Sequence, residues 1–358
     1  MRTCHAMLLA FALGSTALAQ IDPRTAMLEK AGWDAIVGGQ AAVAADRFRQ
    51  AIALDPKNPR LYLGAGTAAY LDRRDGDARA SLERALSIDP SLGRARALLG
   101  RVLHRMGEVP EAIRTYERLT ADAPDDREAA ATLERWRREL ALHDRMQQTV
   151  GAHFRVSFEG PSEAGLAAEA LASLDRAYWR IGGILGIYPA EPVPVVLYTN
   201  EQFRDITRSP TWAAGSFDGT IRVPMRGAIS AQKEPDRVLA HEVTHAVVRS
   251  LSARAVPAWL NEGLAAALEA DDLEWAEERV RQAGAGSLSA LDRGFDRFEG
   301  AQAQLAYAAS ALAVRRLIEE AGGFAIANLL RDLGDGVDFD AAFLRRIQRT
   351  FRDFQEGL

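Results

Sequence analysis

Cysteine is almost missing from this chain of 358 residues: there is one, Cys4. No intrachain pair can form, so core burial rather than cross-linking must hold the fold together. Histidine is also scarce, at 6, which makes two of them spaced four apart stand out. Runs of Lys or Arg are missing too. A formal charge of −5 and a pI near 5.8 lack the basic footprint of a nucleic-acid binder. After the first twenty residues no stretch is long and apolar enough to span about 30 Å of hydrocarbon. What remains is the balance of a globular protein, 48% hydrophobic and 26% charged. The length suits two domains, or one domain with a repeat array.

The first twenty residues, MRTCHAMLLAFALGSTALAQ, combine Arg2, an apolar run from Ala6 to Leu13 and the small-residue site Ala17-Leu18-Ala19. This is the layout of a secretory signal peptide over residues 1–19, cleaved after Ala19. A membrane anchor is the other reading, but the apolar run is short for it. The expectation is export, to a bacterial periplasm, with Cys4 lost from the mature chain.

The next hundred residues repeat. Pro56, Pro90 and Pro124 stand 34 residues apart, and the same period relates Gly32, Gly66 and Gly100, then Ala44, Ala78 and Ala112, then Phe48, Leu82 and Tyr116. A small residue where two helices touch, a large apolar one a turn later and a proline that stops the second helix specify stacked helix pairs. The period resembles the tetratricopeptide repeat, in three units over residues 25–126. Residues 127–149 read as a capping helix with Leu133, Trp136, Leu140 and Leu142 on one side, within a linker at 127–150. Such an array is either a plain scaffold or a surface for a protein partner.

From Gly151 the texture changes. HFRVSF and VPVVLYT (193–199) read as strands, FDGTIRVPM holds an Asp-Gly turn between extended segments, and the stretch between the first two has helical spacing. Beyond residue 231 helices are expected at 235–252, 257–270, 302–320, 323–333 and 338–355. Strands followed by helices indicate an α+β domain over 151–358.

Within that domain lies HEVTH, residues 241–245. Residues four apart share a helix face, so His241 and His245 can converge on one metal ion, and Glu242 beside them is placed to take a proton from a metal-bound water. With sixteen residues between it and His245, Glu262 sits in the apolar run PAWLNEGLAAAL, where a carboxylate is costly unless it faces a cation. Two histidines and one glutamate leave a coordination position open, as catalytic zinc sites do. Gly263 removes bulk where helices would approach, and Trp259 reads as a packing anchor. His104, His143 and His153 lack ligand spacing.

HEVTH and WLNEGLA resemble the gluzincin metallopeptidases of the peptidase MA group, which includes small bacterial domains joined to tetratricopeptide repeats. The resemblance implies Zn2+ held by His241, His245 and Glu262, with Glu242 as general base. It also suggests Tyr307 as donor to the oxyanion, although Tyr307, Ala311, Val314 and Ile318 equally form a core stripe. Residues 215–224 would be the strand edge that holds an extended peptide, or an ordinary hairpin. Three features depart from the family: no Gly-x-Met-Glu-Asn segment is present, the spacing to Glu262 is shorter than in the aminopeptidases, and Ala266 stands where thermolysin-like enzymes have an aspartate, so the residues behind the ligands are not identified. The expectation is an α-helical repeat solenoid followed by a zincin-like domain acting as an exported endopeptidase on a protein or peptide substrate. The alternative is a periplasmic adaptor whose zincin-like domain is not catalytic.

Overall fold

The computed structural model describes residues 22–207, 215–224, 233–284, 286–292, 295, 298 and 300–358, with only the backbone of 233–235. The expected signal peptide lies outside these residues. No helix among them is long and apolar enough to cross a membrane.

Three helical hairpins come first: α1 (Pro23–Val37) with α2 (Ala41–Leu54), α3 (Pro59–Leu71) with α4 (Asp75–Ile88), and α5 (Gly93–Arg105) with α6 (Val109–Asp122). The repeated residues pack as their spacing requires. A β-carbon at Gly32 would lie 2.8 Å from the Phe48 ring, one at Gly66 2.7 Å from Leu82 and one at Gly100 2.3 Å from Tyr116. The glycine of each first helix therefore admits the large side chain of the second. Each hairpin turns through a left-handed residue, Gly39 (φ 75°), Arg73 (φ 58°) or Gly107 (φ 79°).

The capping helix α7 covers Arg127–His143, shorter than the 127–149 expected, because the chain enters strand β1 at Gln147–Val150. Mostly exposed QQTV carries no alternating pattern that would reveal a strand. It pairs antiparallel with β2 (Phe154–Phe158), followed by α8 (Ala164–Leu185), β3 (Val193–Tyr198), α9 (Asn200–Thr207), β4 (Ser216–Phe217) and β5 (Ile221–Pro224). The sheet order is β1-β2-β3-β5-β4. Its three central strands run parallel, with antiparallel edges. Helix α8 is the crossover between β2 and β3, so the domain is more interleaved than strands first and helices after.

The remaining chain is helical: α10 (Lys233–Leu251), α11 (Ala258–Leu268), α12 (Glu274–Ala283), α13 (Gly300–Ala321), α14 (Gly323–Gly334), α15 (Phe339–Ile347) and α16 (Phe351–Glu356). The helix expected over 338–355 is broken because Gln348 takes φ 59° and Thr350 caps a new turn. One core joins the sheet to α8, α10, α11, α13 and α14. Trp259 is fully buried in it, stacked 5.4 Å from the Phe351 ring. At Gly263 the approaching helix is α13: a β-carbon would lie 2.6 Å from the Ser310 carbonyl oxygen.

Repeats and sheet domain meet through buried ions. Glu139 on α7, with no exposed surface, receives His104 Nε2 at 2.7 Å and Arg222 Nη2 of β5 at 3.5 Å. His143 Nε2 lies 2.6 Å from the Tyr198 hydroxyl, and the Ala255 amide donates to the Asp72 carbonyl at 3.2 Å. The histidines without ligand spacing are thus paired: two work at this junction, and His153 faces Asp175 at 3.1 Å.

Candidate metal centre

Helix α10 carries the paired histidines on one face, and α11 crosses it to bring in the third group. Both imidazoles turn Nε2 toward one oxygen: His241 Nε2 and His245 Nε2 are each 3.7 Å from Glu262 Oε2. Donor atoms of His241, His245 and Glu262 all lie within 4.8 Å of one another. Tetrahedral zinc at bond lengths near 2.0–2.1 Å separates its ligand atoms by about 3.3 Å, so a small contraction would close this cluster on the ion.

The far nitrogens explain the aim of the rings. His241 Nδ1 is 2.9 Å from Glu269 Oε2, and His245 Nδ1 is 3.2 Å from Asn261 Oδ1. An acceptor at each Nδ1 fixes the ring and turns Nε2 toward Glu262. Arg237 in turn donates to Glu269. Asn261 also offers Nδ2 to Glu262 Oε1 at 3.3 Å. These are the residues behind the ligands that the sequence left unassigned. Glu269, the C-cap of α11, lies two turns after Glu262, and that i, i+7 spacing was the available signal.

The electrostatics suit a cation. Burial works to raise the Glu262 carboxyl, but the His245 charge and the His241 hydrogen bond prevail, with Tyr307 contributing another, and hold it down at about 2. Burial works to lower the His241 imidazole, yet hydrogen bonds to Glu262 and Glu269 lift it to about 10. His245 goes the other way: burial holds it low in spite of the Glu262 charge. A carboxylate kept ionised beside a protonated imidazole forms a site in which a metal would displace the His241 proton.

Glu242 is 4% exposed, and its Oε2 has no hydrogen-bond partner among the described residues. Burial raises its carboxyl to about 7, against the His241 charge and with the Glu262 charge. A β-carbon at Gly215 would lie 2.5 Å from Glu242 Oε1, so the absence of a side chain at 215 lets the chain entering edge strand β4 pass over this carboxylate. A buried carboxylate with an unpartnered oxygen beside a ligand cluster has the chemistry of a proton acceptor.

Tyr307, on α13, reaches both expected surroundings. Its ring packs edge-on to Phe295 at 4.8 Å, and it lies 6.5 Å from the His241 ring. The structure therefore brings together His241, Glu242, His245, Glu262 and Tyr307. It places the 215–224 hairpin at the sheet edge beside Glu242.

Residues 174–348 match the Peptidase MA superfamily, and residues 76–136 match the tetratricopeptide repeat. No curated protein matches the chain. Similar solved structures include the first TPR of Spaghetti (RPAP3) bound to an HSP90 peptide, at 23% identity over 33% of this chain and 96% of that one, with TM-score 0.32. The Arabidopsis OM64 TPR domain has 20% identity over 32% and 96%, with TM-score 0.32. MamA has 25% identity over 34% and 72%, with TM-score 0.33. The part of the chain that holds the paired histidines is accordingly a domain of the Peptidase MA superfamily, set behind tetratricopeptide repeats.

Proposed function

We propose that this protein is an exported zinc endopeptidase, with His241, His245 and Glu262 as metal ligands and Glu242 as general base. The observation that carries the reading is the convergence of both histidine Nε2 atoms on Glu262 Oε2, each at 3.7 Å, beside a buried carboxylate with an unpartnered oxygen. A zinc ion bound there would supply Lewis acidity, acidifying a water and polarising a peptide carbonyl. The protein's own part begins with Glu242, which accepts a proton from the attacking water and passes it to the leaving amine. Glu269 and Asn261 keep the imidazoles aimed. The Tyr307 hydroxyl is the donor nearest to hand for the developing oxyanion. Strand β4 offers its open edge to an extended peptide, and the repeat array offers a surface to a protein partner.

The test compares wild type with Glu242→Gln on an unstructured protein such as casein. The reading expects equal metal content and a loss of hydrolysis of about 10²–10⁴-fold in the variant. Hydrolysis undiminished in the variant would remove Glu242 from the mechanism. An inactive wild type holding its metal would leave a scaffold.

A further inference from the structure

The turn between α3 and α4 presents a residue that its sister turns do not. Gly39, Arg73 and Gly107 occupy the same place in successive repeats, 34 residues apart, and all have positive φ. The backbone bonds match as well: Gly39, Arg73 and Gly107 amides donate to Ile36, Tyr70 and His104 carbonyls, and the next amides to Ala35, Ala69 and Leu103. This helix ending favours glycine because a side chain there crowds the following carbonyl. The middle repeat nevertheless carries arginine, and it is the repeat whose turn meets the metal-binding helix. Arg249 Nη1 donates to the Arg73 carbonyl at 3.2 Å, and Arg249 is one helical turn beyond His245 on α10.

Charge at this contact is unbalanced. Asp75 takes Arg105 Nε at 2.8 Å and faces Arg249 Nη2 at 3.5 Å. Asp72 takes Arg74 Nε at 2.9 Å and faces Arg254 Nη1 at 3.6 Å. With Asp77, which also takes Arg74 at 2.5 Å, three aspartates serve these four arginines. The Arg73 side chain has no hydrogen-bond or ion-pair partner among the described residues, and the nearby Asp218 is engaged by Arg222. Arg73 is exposed, yet surrounding protein depresses its guanidinium, burial first and the Arg105 charge second. Its turn abuts α10 one helical turn beyond His245, through the bond from Arg249 to the Arg73 carbonyl.

We propose that Arg73, lent by the repeat array, is a substrate-binding residue of the metallopeptidase cleft and takes a carboxylate of the peptide on the His245 side. That carboxylate is an Asp or Glu side chain or the peptide's C-terminus. A guanidinium without a partner among the described residues is free to make a bidentate, charge-assisted contact, and the surplus positive charge draws acidic chains toward it. The proposal rests on the hydrolytic reading of the site.

The experiment uses the full mature chain loaded with zinc, and fluorescence-quenched peptides with Glu or Ala at each position in turn, each with a free or an amidated C-terminus. Wild type, Arg73→Gly and Arg73→Glu are compared. We expect kcat/KM for the preferred acidic peptides to fall about 10- to 100-fold in Arg73→Gly, more than for Ala peptides with an amidated C-terminus, and Arg73→Glu to turn the preference against acids. The sensitive arm, free terminus or side chain, identifies the source of the carboxylate. Thermal stability of Arg73→Gly should equal or exceed wild type, since glycine relieves the left-handed position; a lower Tm with unchanged selectivity would make Arg73 structural. Anisotropy measurements of the same peptides binding to Glu242→Gln, with and without Arg73→Gly, separate the two readings. Arg73-dependent acid preference without turnover in wild type would overturn hydrolysis alone. The same peptide preference with and without Arg73, in either assay, would overturn the proposal.

Discussion

Glu242 concentrates the chemistry at the scale of single residues. It is sealed by the chain at Gly215, and burial raises its carboxyl to about 7. A general base works as carboxylate, which is lost as pH falls through its pKa, so kcat/KM should decline on the acid side. A bound cation lowers a neighbouring carboxyl, which sets the midpoint of that decline at or below about 7. The pH profile of peptide hydrolysis measures it, and a rate that climbs as pH drops from about 7 toward 5 would contradict the assignment. HEVTH and Glu262 were legible in the sequence because four-residue spacing on a helix fixes a shared face and a lone Glu in an apolar run is conspicuous. Arg73 was not, because which repeat turn meets α10 depends on how the two halves dock.

At the scale of elements, the crossing of α10 and α11 does the positioning. Asn261 on α11 and Glu269 at its C-cap hold the Nδ1 atoms of His245 and His241, and α13 supports α11 from behind at Gly263. Asn261→Ala and Glu269→Gln should each weaken zinc binding about 10- to 100-fold, read by competition with a chelator. Wild-type affinity in both would mean that the rings are aimed by packing alone. Gly263→Val should destabilise by roughly 1–3 kcal/mol through overpacking against Ser310 and Val314, seen as a lower midpoint in urea. These partners were hidden because a helix-crossing angle cannot be read from periodicity. The repeat glycines were visible because each recurs opposite a large residue. Helix α12 was missed for the opposite reason: its EWAEERVRQA has one buried residue, Ala276, and so almost no apolar stripe.

At the scale of the whole molecule, the repeats and the sheet domain are locked by Glu139, His104 and Arg222. Burial opposes ionisation of Glu139, but the His104 hydrogen bond and the His104 and Arg222 charges hold its pKa below the ordinary 4.5. A depressed carboxyl stabilises the fold above its unfolded pKa and loses that contribution as pH falls through the folded value. Acid unfolding should therefore set in below about pH 4.5. Glu139→Ala leaves Arg222, 6% exposed, without its partner across the junction and should cost about 3–5 kcal/mol. A variant as stable as wild type in urea would show that the junction ions are dispensable. The repeat-plus-domain order was legible from the 34-residue period and its end, while the buried ions at the join were not, since each partner comes from a different element.

The central claim is that His241, His245 and Glu262 hold one zinc ion. It is tested most directly by the metal content of the purified protein beside Glu262→Ala, measured by mass spectrometry with folding checked by circular dichroism. The account predicts one zinc per wild-type chain and little or none in a folded variant. Wild type without zinc, or zinc bound equally well without Glu262, would contradict it.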